Sequence, residues 1–298
     1  MLAENMFMFF ANATLGVADS IQVRKTMLQF HVDETLCVRC GDCAADCPAG
    51  IIAMNDLPEI TEEERCYRCL HCYAVCPTGA LSILGNDPDH AETETPELPS
   101  PAQMGNLIRW RRSVRRYQDE NLAPELIDEL LNTACHAPTG VNARDVLFTV
   151  VRSKEFMAFL SREIMSRLSE LEESGKLPGG LAGQYLAFVV NAWRTQGRDV
   201  ILRGAPHLLV TSAPKGSPCP VQDTHIALAT FELLASSHGL GTLWDGLFMM
   251  ALSVCPDLVE RLGIPADHAI GYAMLFGKPA VEYHRPARRG PVKVNMLG

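Results

Sequence analysis

At 298 residues, with 47% hydrophobic and 20% charged side chains, the chain has the make-up of a globular protein of about two domains. Its formal net charge of −9 argues against a general nucleic-acid binder, which would present a basic face. No stretch reaches the ~18 uninterrupted apolar residues of a membrane span, and the expected setting is a reducing cytoplasm.

Residues 1–27 form an N-terminal extension. Its apolar run MFMFFANATLGVA is short and follows Glu4 rather than a lysine or arginine, so it reads as an appendage rather than a secretory signal. Residues 28–36 are predicted as a short strand and turn. Of the eleven cysteines, eight then fall between Cys37 and Cys76, in two units, CVRCGDCAADCPAGII and CYRCLHCYAVCPTGALSI. The units repeat at an interval of twenty-nine residues: Cys37 with Cys66, Cys40 with Cys69, Cys43 with Cys72, Cys47 with Cys76. Pro48 and Gly50 recur as Pro77 and Gly79, the mark of a duplicated half-domain.

Each C-x-x-C-x-x-C run offers three thiolates from one tight loop, and the remote Cys-Pro reaches across to the other cluster. Cys37, Cys40, Cys43 and Cys76 are therefore expected to hold one [4Fe–4S] cluster, and Cys66, Cys69, Cys72 and Cys47 a second. Structural zinc also uses CxxC pairs, but two pairs satisfy one tetrahedral ion, whereas here there are two triplets and two remote partners. Residues 28–84 resemble a bacterial-type two-cluster ferredoxin.

From residue 85 to 101 proline and acids replace aliphatic periodicity, and the segment reads as a solvated linker. Beyond it, helix-like and strand-like segments alternate over 102–298, as in α+β proteins. AQMGNLIRWRR reads as a helix, and Pro124 opens a second at the favoured first position, with Leu126, Ile127, Leu130, Leu131 and Ala134 on one face. VLFTVV (146–151) reads as a buried strand, followed by helices over roughly 154–173 and 181–203. A strand at 207–213, a helix at 222–238 closed by Gly239, and a strand at 269–277 complete the pattern. Cys135 reads as core, His136 as a satisfied buried histidine, and Cys219, between prolines, as open to solvent.

RWRRSVRRY (109–117) gathers forked, permanently charged donors around Ser113, which suits a phosphate ester. With APTGVN (137–142), RGAPHLLV (203–210), HGLGTLWDGLF (238–248) and the late FGKP…RPARRGPV, it resembles the nitroreductase family of FMN-dependent enzymes, in that family's order. The resemblance implies an α+β fold with a mixed central sheet flanked by helices, and FMN bound between two subunits of a homodimer. It implies that Arg111, Arg112, Ser113 and Arg115 hold the phosphate and pyrimidine edge, that Asn142 hydrogen-bonds the ring, and that Arg289, or Arg288, returns to the phosphate. Backbone groups near Gly246 and Leu247 are implied to touch the nitrogen that carries hydride.

Two positions depart from the family's usual pattern. Arg144 follows Asn142-Ala143, either a further cation for the flavin or a partner for Asp145. Asp245 stands where an apolar residue is usual; it is expected as the cap of a helix over 246–252, with a proton-donating role beside the flavin as the alternative.

The resulting expectation is an iron–sulfur flavoprotein oxidoreductase. A low-potential donor such as reduced ferredoxin would feed the clusters, the clusters would reduce FMN singly, and a nitroaromatic, quinone or activated alkene would accept the pair. The absence of a G-x-G-x-x-G fingerprint fits a reduced need for NAD(P)H. A non-catalytic electron-transfer module for a protein partner, and a specialised reductase such as a reductive dehalogenase, are the alternatives. The helix over 181–203, with Phe188, Trp193 and Arg194, is the expected lid over the pocket.

Overall fold

The computed structural model describes residues 27–91 and 97–298. All but the last residue of the N-terminal extension, and the middle of the linker, lie outside the described residues. The chain divides into two compact units. The first takes the described residues up to Leu98 together with Thr139–Ala143 and Gly216–Pro218; the second takes Pro99–Pro138, Arg144–Lys215 and Cys219–Gly298.

In the first unit the sequence repeat becomes a backbone repeat. Arg39 and Arg68 have φ of 56° and 53°, Gly41 and Leu70 of 83° and 62°, and Gly50 and Gly79 of 63° each. These left-handed residues coil each cysteine run into a tight loop, and a one-turn helix leaves each loop: α1 (Asp42–Ala45) and α2 (His71–Ala74). Two antiparallel pairs bracket them, β1 (His31–Val32) with β4 (Leu81–Ser82), and β2 (Ile52–Met54) with β3 (Pro58–Ile60). The apolar core is small: Leu28, Ile51, Ile52, Leu81 and Ile83, with the thiols of Cys43 and Cys72 among them. So few side chains leave such a unit dependent on a further cross-link.

The second unit is built on a four-stranded sheet of β5 (Leu147–Val151), β6 (His207–Pro214), β7 (Gly241–Trp244) and β8 (His268–Gly277), in the order β5-β6-β8-β7. Its strand pairs are antiparallel, and its parallel component is the bridge from Ser113 to Thr242. Alternation along β6 sends Leu208 and Val210 to one core and Leu209 to the other. The first core is shared with α5 (Lys154–Glu173), α6 (Gly180–Gln196), α8 (Gly246–Val254) and α9 (Pro256–Arg261). The second is shared with α4 (Pro124–Ala134) and α7 (Pro220–Ser237). A further helix, α3 (Pro101–Trp110), opens with a reciprocal capping box between Ser100 and Gln103.

Four expectations are corrected. The strand at 147–151 is an edge strand with Leu147 exposed, because β5 pairs only with β6. Cys135 is exposed, since the buried stripe of α4 runs through Ile127, Leu130 and Ala134 and the next residue points off that face; its Sγ donates to the Asn132 carbonyl at 3.0 Å. His136, one residue on, is exposed for the same reason. The helix expected to reach residue 203 stops at Gln196, where Gly197 takes φ 61° and ends it in the left-handed cap only glycine adopts freely.

Candidate functional site

In the first unit the eight thiols are free and line two cavities. One is walled by Cys47, Cys66, Cys69 and Cys72. The other is walled by Cys37, Cys40, Cys43 and Cys76. Each cavity therefore takes three thiols from one repeat and the remote thiol of the other. A hydrogen bond across the repeat supports it: His71 Nδ1 lies 3.0 Å from Asp46 Oδ2, joining the neighbour of Cys72 to the neighbour of Cys47.

Backbone amides point at the sulfurs as well, Arg68 N–H at Cys66 Sγ (3.4 Å) and Ala80 N–H at Cys76 Sγ (3.3 Å). Burial pushes the Cys72 thiol up to about 11 and raises those of Cys43 and Cys66. Thiols converging in fours, with Cys43 and Cys72 buried, are a donor set suited to iron, whose charge offsets that desolvation. Among the described residues no three His, Cys, Asp or Glu groups stand close enough to hold a single metal ion; a cubane spreads its four ligands more widely than one ion does.

Asn142 falls in the first unit, not the second. Its Nδ2 donates to the carbonyls of Tyr67 and Arg68, both at 3.0 Å, on the loop between Cys66 and Cys69. The residue expected to touch a flavin ring thus has its amide engaged on a cysteine loop.

In the second unit the arginine segment is stitched to β7. Val114 N–H donates to the Thr242 carbonyl at 2.8 Å beside the Ser113–Thr242 bridge. Gly241 is required there: a Cβ on it would stand 2.6–2.8 Å from three Val114 carbons. Gly241→Ala is expected to lower stability by about 1–3 kcal/mol through overpacking. Adding Val114→Ala should restore most of it, measured by thermal unfolding of the single and double variants.

The arginines divide in their partners. Arg111 Nη1 pairs at 3.1 Å with Oε1 of buried Glu232 on α7, which also lies 3.4 Å from the Thr242 hydroxyl. Among the described residues Arg112 donates to the carbonyls of Arg109, Arg111 and Arg285, and Arg115 to that of Ser113. The C-terminal tail runs back along this segment, with Ala280 N–H on the Arg116 carbonyl (2.9 Å) and Gln118 N–H on that of Lys278 (2.9 Å). The exposed tail thus runs beside the first arginine cluster as far as Arg285, and Arg288 and Arg289 follow it in sequence. Two guanidinium groups without a carboxylate partner among the described residues, next to a returning basic tail, fit a phosphate ester.

Gly246 and Leu247 are the first two residues of α8, and Asp245 is its N-cap, as expected. Asp245 Oδ1 accepts from Phe248 N–H at 3.0 Å, but Oδ2 is buried with no hydrogen-bond partner among the described residues. The side chain is 3% exposed. Burial pushes its carboxyl up to about 7 against the opposing pull of the Phe248 amide and Arg203. A carboxyl that binds its proton more tightly when folded contributes stability that is full below about 3.8 and is lost as pH rises to about 7. Asp245→Asn keeps the cap and removes the titration. It is expected to be more stable than wild type at pH 8, by on the order of 1–4 kcal/mol, with the gap closing toward pH 4 in denaturant titrations.

Sequence reading missed the group around Asp245. Arg203 is half-buried at φ 56°, and the fields of Asp245, Asp199 and Arg115 act on it. Tyr117 is raised by burial and donates to the Val114 carbonyl at 2.9 Å. Asp199 Oδ1 accepts from the amides of Ile201 and Leu202, and its Oδ2 from Ser161. A cleft of about 980 Å³ opens beside them, lined in part by Asp199, Leu202, Gly204, Lys154 and Trp193. Of the expected lid residues only Trp193 lines it; Phe188 is exposed, and Arg194 is tied to Glu172 and Glu173 at 2.7 and 2.6 Å.

Among known proteins, the chain is 28% identical over 178 residues to a protein of Methanothermobacter thermautotrophicus named as an NADH dehydrogenase/NAD(P)H nitroreductase, covering 58% of this chain and 75% of that one. A protein of the same name from Archaeoglobus fulgidus is 27% identical over 197 residues, 63% of this chain and 94% of the other. Among solved structures, a nitroreductase with bound FMN from Bacteroides fragilis aligns with a TM-score of 0.52 at 18% identity, covering 65% of this chain and 99% of that one. An FMN-dependent nitroreductase from Clostridium difficile R20291 aligns at 0.51 with 21% identity, covering 66% and 100%. Residues 36–81 match the 4Fe-4S dicluster domain. Residues 108–278, more than half of the chain, match the nitroreductase family, and the chain belongs to that family of oxidoreductases.

Proposed function

We propose that this chain is an FMN-dependent oxidoreductase in which two [4Fe–4S] clusters pass electrons one at a time to the flavin, which delivers them in pairs to an organic acceptor. The observation that carries the reading is the coexistence, in one polypeptide, of two four-cysteine cavities and an arginine cluster in which Arg112 and Arg115 have no carboxylate partner among the described residues. Cys37, Cys40, Cys43 and Cys76 would ligate one cluster, and Cys66, Cys69, Cys72 and Cys47 the other. Bound FMN supplies the exchange between single-electron and two-electron chemistry.

The chain's own residues do the rest. Arg112 and Arg115 bind the phosphate and favour negative charge nearby, with Arg289 from the returning tail. Arg111 holds its segment on Glu232, and Ser113 lies in register with β7. The first amides of α8, at Gly246 and Leu247, offer donors at a helix N-terminus. Reduced ferredoxin or a similar low-potential protein is the proposed donor, and a nitroaromatic, quinone or activated alkene the acceptor. A homodimer, as the resemblance implies, and a reducing cytoplasm complete the reading. Among the described residues no helix is long and apolar enough to cross a membrane.

Anaerobic purification with iron, sulfide and flavin assays should find about eight irons and one FMN per chain. Reduced ferredoxin should then bleach clusters and flavin, and a quinone or nitroaromatic should reoxidise both. Clusters that reduce without the flavin following would sink the reading. A flavin that reduces but is reoxidised by no small acceptor would leave an electron-transfer module.

A further inference from the structure

We propose that Asp245 supplies the proton that accompanies the flavin's reduction by single electrons. The inference rests on the reading above and concerns a gap in its balance. A nicotinamide donor delivers two electrons and a hydrogen nucleus together as hydride. An iron–sulfur cluster delivers only an electron and is itself left oxidised. Two such transfers put two electrons on the flavin, and forming its anionic reduced state also takes up one proton, which the protein must provide. The proton leaves the Asp245 carboxyl, the carboxylate remains, and solvent returns the proton before the next turnover.

The surroundings of Asp245 fit that task and not capping alone. An N-cap needs one oxygen, and Asn or Ser would serve as well without a buried acid. Here Oδ1 makes the cap while Oδ2 is sealed from solvent with no hydrogen-bond partner among the described residues, a feature that capping does not require. The residue immediately precedes Gly246 and Leu247, whose amides the family resemblance places against the reacting edge of the flavin. The charged and titratable groups that face it are Arg203 and Asp199, from the loop before β6, and Tyr117, from the segment after α3. Arg203 keeps the charged carboxylate attainable, while burial keeps the protonated form populated near neutral pH.

Asp199, Leu202 and Gly204 line the open cleft, so solvent reaches the residues on either side of Arg203, and the returning proton would pass that arginine. Of the other buried groups, Tyr117 donates to Val114, Glu232 is paired with Arg111, and His207, whose pKa burial lowers, accepts at Nε2 from Leu122 N–H at 2.9 Å.

The test uses the full chain loaded with FMN and clusters, mixed with photoreduced methyl viologen as a one-electron donor while cluster and flavin bleaching are followed separately. In wild type, flavin bleaching should slow as pH rises through about 7 and should slow in D2O. In Asp245→Asn it should be about 100-fold slower at pH 6, lose both the inflection and the isotope effect, and leave cluster bleaching unchanged. Asp245→Glu should restore the inflection. An Asp245→Asn profile that superimposes on wild type overturns the proposal. Independently of any variant, the reduced-minus-oxidised infrared spectrum of wild type should show loss of a protonated carboxyl band that shifts on 13C-aspartate labelling. No such band also overturns it. Wild-type clusters that bleach without the flavin overturn the underlying reading instead.

Discussion

Replacing Cys76 with alanine is expected to remove the cluster whose other ligands lie more than thirty residues upstream, at Cys37, Cys40 and Cys43, and to spare the one beside it in sequence. The cavity lined by those three residues includes Cys76, and the cavity of Cys66, Cys69 and Cys72 includes Cys47 instead. Iron should fall from about eight to about four per chain. Pairing the substitution distinguishes crossed from local ligation. Cys40→Ala with Cys76→Ala should retain about four irons, because both belong to one cluster, whereas Cys69→Ala with Cys76→Ala should retain almost none. Local ligation would reverse the two results. Stability should follow iron, because the apolar core of this unit is so small that metal ligation and folding are one transition.

The cluster half was the more legible in the sequence, for a physical reason. Ligand spacing is local chemistry, and the interval of twenty-nine residues that duplicates the cysteines also duplicates the left-handed residues at 39/68, 41/70 and 50/79. Strands and helices of the second unit were legible wherever periodicity met a capping signal, as at Pro124, Gly239 and Asp245. Where the outcome depended on neighbours distant in sequence, it was not. Cys135 sits one residue past an apolar stripe, so its exposure follows from where α7 packs. Glu232 and Arg203 carry no motif. Glu232 acquires meaning because α7 passes Arg111 across 121 residues of separation, and Arg203 because the loop before β6 passes Asp245. Asn142 shows the converse: a motif residue whose amide is found on carbonyls 74 and 75 residues away.

That difference in partners makes the arginines of RWRRSVRRY separable by experiment. Among the described residues Arg112 and Arg115 donate only to backbone carbonyls, which any water can replace, so removing them strands no buried charge there. Each is expected to contribute a charge-assisted hydrogen bond of about 1.5–3 kcal/mol to a bound phosphate, or roughly 10- to 100-fold in affinity. Arg112→Ala with Arg115→Ala should therefore weaken FMN binding by at least about 100-fold in a fluorescence titration, while the melting temperature of the flavin-free protein stays within a few degrees. Arg111→Ala should do the opposite. It strands Glu232, 8% exposed in its side chain, as an unpaired buried carboxylate, at a cost of about 3–5 kcal/mol in the flavin-free protein. Adding Glu232→Gln should recover much of that loss, because the charge left behind goes with its partner. Equal effects of all three arginines on flavin affinity, with none on the flavin-free protein, would instead place Arg111 directly on the phosphate, its pairing with Glu232 broken when the flavin binds.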